Sequence, residues 1–180
     1  MSNLMFMARP LSRAKITDVA DRFRKMFGLE DDPYFPVPEV LEFMLPRASE
    51  DYAFSVGEVA DMGPDHGRTL LDDFEIRLRK DVYDNMVLGA GRDRFTACHE
   101  IGHLVLHQPQ YLSRRLEHRE MRTFEDPEWQ ANTFASALMM PERFVKKCHS
   151  IEMMVEMFGV SEPAARSRLR NLNIQLRGAK

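Results

Sequence analysis

Only two cysteines, Cys98 and Cys148, occur in 180 residues. Two thiols fifty positions apart exclude a disulfide framework or a four-cysteine zinc ribbon, and reduced side chains are expected. Cys98 stands beside a histidine, but on a helix it would project away from that neighbour, as a small buried hydrophobe; a redox-sensing thiol is the alternative. Long apolar runs are also missing. No stretch approaches the ~18 residues that a membrane span requires. Residues 1–10 have neither a positive leader nor an apolar core of secretory length, which makes the cytoplasm the expected compartment. Charge of one sign is lacking too: 28 acidic against 25 basic residues leave a formal net charge of -3. Internal repeats and low-complexity segments are absent. The remainder, 44% hydrophobic and 29% charged, is enough for one domain with a proper core.

What is present begins with His99-Glu100-Ile101-Gly102-His103. Residues four apart on a helix lie on one face, roughly 6 Å apart along the axis, so both imidazoles can reach one ion. Catalytic zinc takes three protein ligands and keeps a fourth position open, so a third ligand is needed. Glu100 points off to the side, as suits a general base that takes a proton from an attacking water. The flanks support a helix. Asp93 can cap it, Ala97, Ile101, Leu104 and Val105 form an apolar stripe, and Gln108-Pro109 ends it near His107. Gly102 lowers helix propensity by about 1 kcal/mol but lets another backbone or a substrate come close.

A second helix is signalled by Asp126, Pro127 and Glu128, with a capping aspartate, a proline at the first helical position and an acid in the first turn; it runs to about Met140 and stops at Pro141. Glu128 shares a stripe with Ala131, Ala135 and Leu138, facing the interior. A carboxylate there needs a partner, and an ion held by two neutral histidines supplies one, so Glu128 is expected as the third metal ligand. The plain alternative is an acid stabilised by the helix dipole. Asn132, one turn on, can hydrogen-bond a ligand imidazole and fix its tautomer.

These residues resemble the ImmA/IrrE metallopeptidases, small enzymes with a gluzincin-like site that act on transcriptional repressors. The likeness rests on residues 92–107, on residues 128–141, and on Phe158-Gly159-Val160-Ser161 leading to Arg168-Leu169. The first 50 residues match only loosely. Carried over by position, the resemblance implies His99, His103 and Glu128 as metal ligands and Glu100 as catalytic base. Many members have a second acid just before the Ala-Asn pair, where this chain has Gln130, so Glu128 is the only acid of that stretch able to serve. The resemblance implies one zinc ion per chain; manganese or iron(II) suits the same donors. It also implies a helix-turn-helix repressor as protein substrate, whose loss would relieve repression in stress, phage or mobile-element control.

His107 does not extend the motif to a metzincin pattern, because Leu106 and Pro109 occupy the places of the required glycine and histidine. It is expected to pack, to hydrogen-bond or to help bind substrate. His66, His118 and His149 have no ligand spacing. Tyr111 and His107 are open candidates for stabilising an oxyanion.

The expected fold is α+β, a mainly helical zincin-like core with a small antiparallel sheet and a helical tail. It reads as one metallopeptidase domain over residues 1–180: a helical lead-in (1–50), the sheet with the two zinc-site helices (51–141), and a helix-turn-helix-like tail (142–180). Residues 11–28 read as a helix ending at Gly28, residues 39–45 as a short helix before Pro46, and residues 52–59 and 69–78 as strands joined by a turn at 63–67. Residues 76–78 are the expected edge on which an extended peptide could add. The densely charged residues 113–122 read as a solvated loop or as a flap rimming the cleft. In the tail, helices over 150–158 and 162–172 flank a turn capped by Ser161. Arg166, Arg168, Arg170, Arg177 and Lys180 make it locally basic, yet Leu169, Leu172 and Ile174 suit packing on the core, and direct DNA binding is not expected.

Two functions fit this reading: a zinc endopeptidase, or a non-hydrolytic metal-binding regulator or antirepressor that grips its partner. A binding module needs the ligands but no general base, and Glu100 therefore favours the enzyme.

Overall fold

In the computed structural model, residues 6–107, 113–114 and 120–176 are described. The first long element is helix α1 (Arg13–Met26), which Ser12 caps by accepting from the Lys15 amide. Gly28, at φ 68, takes the chain out of it. Ile16, Ala20 and Phe23 line its buried face, and Arg24 is buried with them. The Arg24 guanidinium donates to the carbonyls of Leu29 and Leu138, the latter at 2.7 Å, and so fastens the lead-in to the end of a later helix. Burial lowers its pKa to about 10, which leaves it charged at neutral pH.

The expected short helix over 39–45 is longer and irregular. An α turn (Val37–Glu39) passes into a π turn (Val40–Met44) and a final α turn (Leu45–Ala48) that contains Pro46. Leu45 N–H bonds back to Val40 O, five residues away, so the donor that proline lacks falls where the ladder changes register.

The sheet departs from expectation. Strands β2 (Ala53–Gly57), β3 (Gly67–Leu70) and β4 (Glu75–Arg79) form a mixed sheet in the order β2-β4-β3. β2 runs parallel to β4, and only β3 and β4 form an antiparallel hairpin. Residues 69–78 are thus two strands around a turn in which Phe74 sits at φ 50. The stretch 58–66 holds a helical turn (Val59–Met62) that makes the parallel crossover possible. Residues 76–78 lie in the central strand, and the edges are β2 and β3, of which β3 borders helix Gly91–Leu106. A second, two-stranded antiparallel sheet pairs β1 (Phe6–Met7) with β5 (Ser113–Arg114).

Helix α2 (Lys80–Val87), absent from the sequence-based reading, buries Val82 and Met86. It leads to α3 (Gly91–Leu106) and, after the segment around 107–126, to α4 (Pro127–Met139). The α3 helix starts at Ala90 rather than at Asp93, which lies in its first turn, where the helix dipole favours an acid. Asp126 caps α4 as expected, accepting from the Glu128 amide at 3.0 Å. Ala97, Ile101, Phe134, Ala135 and Leu138 are buried between α1, α3 and α4. Gly102 lets α3 and α4 touch: a Cβ there would stand 3.1 Å from both Cα and O of Ala131.

The tail forms α5 (Ile151–Phe158) and α6 (Glu162–Leu172), with Gly159 left-handed between them and Ser161 capping the second. Met154, Phe158, Ala165 and Leu169 join the same core. Of the basic residues counted there, Arg168 is buried and donates to Met140 O, Arg166 pairs with Glu162, and Arg177 and Lys180 lie outside the described residues. Among the described residues no helix is long and apolar enough to cross a membrane.

Candidate metal centre and catalytic base

His99 and His103 stand one turn apart on α3, with ring centroids 4.6 Å apart and Nε2 atoms 2.9 Å apart. The first turn of α4 brings the Glu128 carboxylate to them, Oε2 at 3.2 Å from His99 Nε2 and Oε1 at 3.3 Å from His103 Nε2. The three donors lie within 4.8 Å of one another. Tetrahedral ligands about 2.0–2.1 Å from zinc stand roughly 3.3 Å from each other, so these separations fit one ion with little movement. The donor chemistry fits as well, two imidazoles and a carboxylate being a recurrent catalytic zinc set.

Glu128 departs from the expectation of a carboxylate facing the interior. Its side chain is 67% exposed rather than buried, because a residue in the first turn of α4 faces the cleft mouth. Its partners are the imidazoles. His103 and His99 hold its carboxyl well below the usual carboxylate range. On His99, burial pulls the pKa down, but the Glu128 carboxylate and the charge of Glu100 outweigh it and leave the net value raised. The field that attracts a proton to His99 attracts a divalent cation as well.

Glu100, nearly buried, turns toward the sheet. The Thr69 hydroxyl on β3 lies 2.7 Å from Glu100 Oε2 and 3.0 Å from its backbone O. Gly67, on the same strand, leaves the space the carboxylate occupies: a Cβ there would come within 2.8 Å of Glu100 Cγ and 3.0 Å of Oε1. Neither residue was singled out from the sequence, where Gly67 reads as part of a turn and Thr69 as an ordinary strand residue. Only the approach of β3 to α3 gives them meaning.

A cleft of about 850 Å³ opens between β3 and helices α3 and α4, with Phe95, Glu100, Glu128 and Asn132 among its walls. His66, for which no ligand spacing exists, also lines it. Asn132 Oδ1 stands 3.1 Å from His99 Nδ1, the contact anticipated for it. His107 is buried behind His103, the two Nδ1 atoms 2.9 Å apart, so it faces away from the cleft and toward Gln130. Burial and the adjacent His103 lower its pKa to about 4, which keeps it neutral. Cys98 is fully buried, and burial pushes its thiol up to about 12, the behaviour of an inert core residue. Tyr111, His118 and residues 115–119 of the charged segment lie outside the described residues.

No curated protein matches the chain in sequence. Among solved structures, a protein described as a Mycobacterium tuberculosis transcriptional regulator is similar in fold, with a TM-score of 0.56 at 18% identity. The likeness covers 86% of this chain and 46% of that one, so this chain spans about half its length. The sequence profile of the peptidase M78 family, described as the IrrE N-terminal-like domain, matches residues 59–170, a span that runs from the sheet through α3 and α4 into the tail, and the chain belongs to that peptidase family.

Proposed function

We propose that the chain is a zinc-dependent endopeptidase, with His99, His103 and Glu128 as the ligands and Glu100 as the general base. The observation that carries this reading is the placing of Glu100, beside the donor triad but turned out of it and clamped by Thr69 against the sheet edge. A site built only to hold a metal has no use for a buried carboxylate set there at the cost of a glycine in the neighbouring strand.

When bound, the ion supplies Lewis-acid polarisation of a water and of the scissile carbonyl. The protein does the rest. An extended peptide pairs with the free edge of β3, whose other edge is taken by β4, and is thereby drawn across the cleft with one carbonyl above the triad. Glu100 accepts a proton from the attacking water and passes it to the departing amine, which restores the carboxylate. The Thr69 hydroxyl holds that carboxylate in one orientation between the two transfers.

The substrate is proposed to be a helix-turn-helix repressor, on the strength of the family resemblance, and the site of action the cytoplasm. Cleavage would then relieve repression. The test is a set of ligand variants, His99→Ala, His103→Ala and Glu128→Ala, measured for bound zinc and for cleavage of a partner repressor. Each is expected to lose both together. Cleavage that persists in a variant without metal would contradict the assignment, and a wild type that binds metal and repressor without cutting would favour the regulator reading.

A further inference from the structure

Behind the site, Gln130, His107 and His103 form one hydrogen-bonded line. Gln130 is fully buried, and its amide nitrogen lies 2.8 Å from Arg9 O and 2.8 Å from Phe124 O. Backbone carbonyls only accept, so the two amide hydrogens are committed to them, and the reversed amide would set oxygen against two oxygens. Gln130 Oε1 is left facing His107 Nε2 at 3.1 Å, and it too can only accept. The His107 proton is therefore on Nε2, and its Nδ1 is a bare lone pair. That lone pair meets His103 Nδ1 at 2.9 Å, a contact that bonds only if His103 donates. With its proton on Nδ1, a neutral His103 has a bare Nε2, the atom that faces His99 and Glu128.

We propose that Gln130 and His107 are positioning residues that lock His103 into the Nδ1–H tautomer, with the carbonyls of Arg9 and Phe124 as the fixed end of the chain. This rests on the reading of His103 as a metal ligand. It deepens that reading by making one imidazole metal-ready before any ion arrives.

The two ligand histidines are held unequally as a result. Among the described residues, His99 Nδ1 meets only the amide of Asn132, an exposed side chain. The His103 line runs through the buried His107 and Gln130 and reaches the N-terminal segment, where Ala8 N–H and Leu11 N–H bond to the Glu125 and Phe124 carbonyls. Residues far from the motif in sequence thereby set the donor state of one of its histidines. The Gln130 amide is what makes the direction of the chain unambiguous: an amide offers two donors to two carbonyls and one acceptor to an imidazole.

The test has two arms on the full-length protein. In the first, nitrogen-15 NMR of the metal-free wild type at slightly alkaline pH reads the imidazole tautomers. The expected result is a proton on His107 Nε2 and on His103 Nδ1; the opposite tautomer at either residue overturns the proposal without any variant. In the second, zinc affinity is measured by competition with a chromophoric chelator. His107→Phe removes both polar atoms and is expected to weaken zinc by about 10–100-fold. His107→Gln again offers an acceptor and a donor on one planar group and is expected to remain within a few-fold of wild type. A folded His107→Phe protein that binds zinc as tightly as wild type would overturn the proposal. Failure of the wild type itself to bind zinc would instead remove the metal-site reading, and the tautomers would still decide the hydrogen-bonded line.

Discussion

Acid should destabilise this protein through His107, and the size of the effect follows from its burial. The folded-state pKa is about 4, against an ordinary value of 6.5, and the residue is 1% exposed, so solvent screening does little to reduce the difference. Between those two values the unfolded chain binds a proton that the folded protein refuses, so stability falls as pH falls from about 6.5 toward 4. At about 1.4 kcal/mol per pH unit the full loss is about 3 kcal/mol, of which about 2 kcal/mol accrues between pH 7.5 and pH 5. His99 acts in the opposite sense. Its raised pKa adds stability that is present below its ordinary value and is lost as pH rises through the folded one. Comparing wild type with His107→Gln cancels that contribution, because His99 is the same in both. The assay is urea unfolding with a chelator present at pH 7.5 and pH 5. The variant is expected to lose about 2 kcal/mol less than wild type between the two, a difference on the order of 1 M in midpoint at ordinary slopes. Equal losses in the two proteins would refute the reasoning, since the buried neutral imidazole would then not be the source.

Three further outcomes follow from contacts around the site. Gly67→Ala should leave unfolding within about 1 kcal/mol of wild type, because a flexible side chain is what must yield, but should lower kcat by about 10–100-fold as Glu100 is displaced; unchanged turnover on a repressor or peptide substrate would contradict it. Thr69→Val leaves the nearly buried Glu100 carboxylate without its hydroxyl partner, and chemical unfolding should show a loss of about 1–3 kcal/mol. Gly102→Leu pushes α3 away from the Ala131 backbone, which should cost at least about 1–3 kcal/mol and weaken zinc by the same movement; calorimetry and metal competition together would show both or disprove the contact.

The candidate donor cluster is legible in the sequence because its determinants are local. Helical spacing alone puts His99 and His103 on one face, and the capping pattern at Asp126 and Pro127 starts the second helix at the right residue. The expectation of a buried Glu128 fails because its stripe is buried only from Ala131 onward, and the first turn of a helix projects beyond the layer its later turns enter. The sheet was less legible because register is not local. Whether residues 53–57 pair with the near or the far half of residues 67–79 depends on the crossover at Val59–Met62, which has no strong signal in four residues. The edge beside α3 is therefore β3 rather than residues 76–78, and Gly67 and Thr69, which meet Glu100 there, carry no signal of it in the sequence. Gln130 illustrates a different limit. Its identity was noted as a departure from an acidic position, but its function depends on two carbonyls, one of them 121 residues away in sequence.

The most direct test of the central claim is to replace the base alone. Glu100→Gln keeps the size of the side chain and all three donors, so bound zinc should remain at one per chain while cleavage of a partner repressor falls by about 10²–10⁴-fold. Loss of cleavage with zinc retained is the predicted result. Cleavage at the wild-type rate by the zinc-loaded variant would contradict the assignment of Glu100, and with it the account of how this site would act.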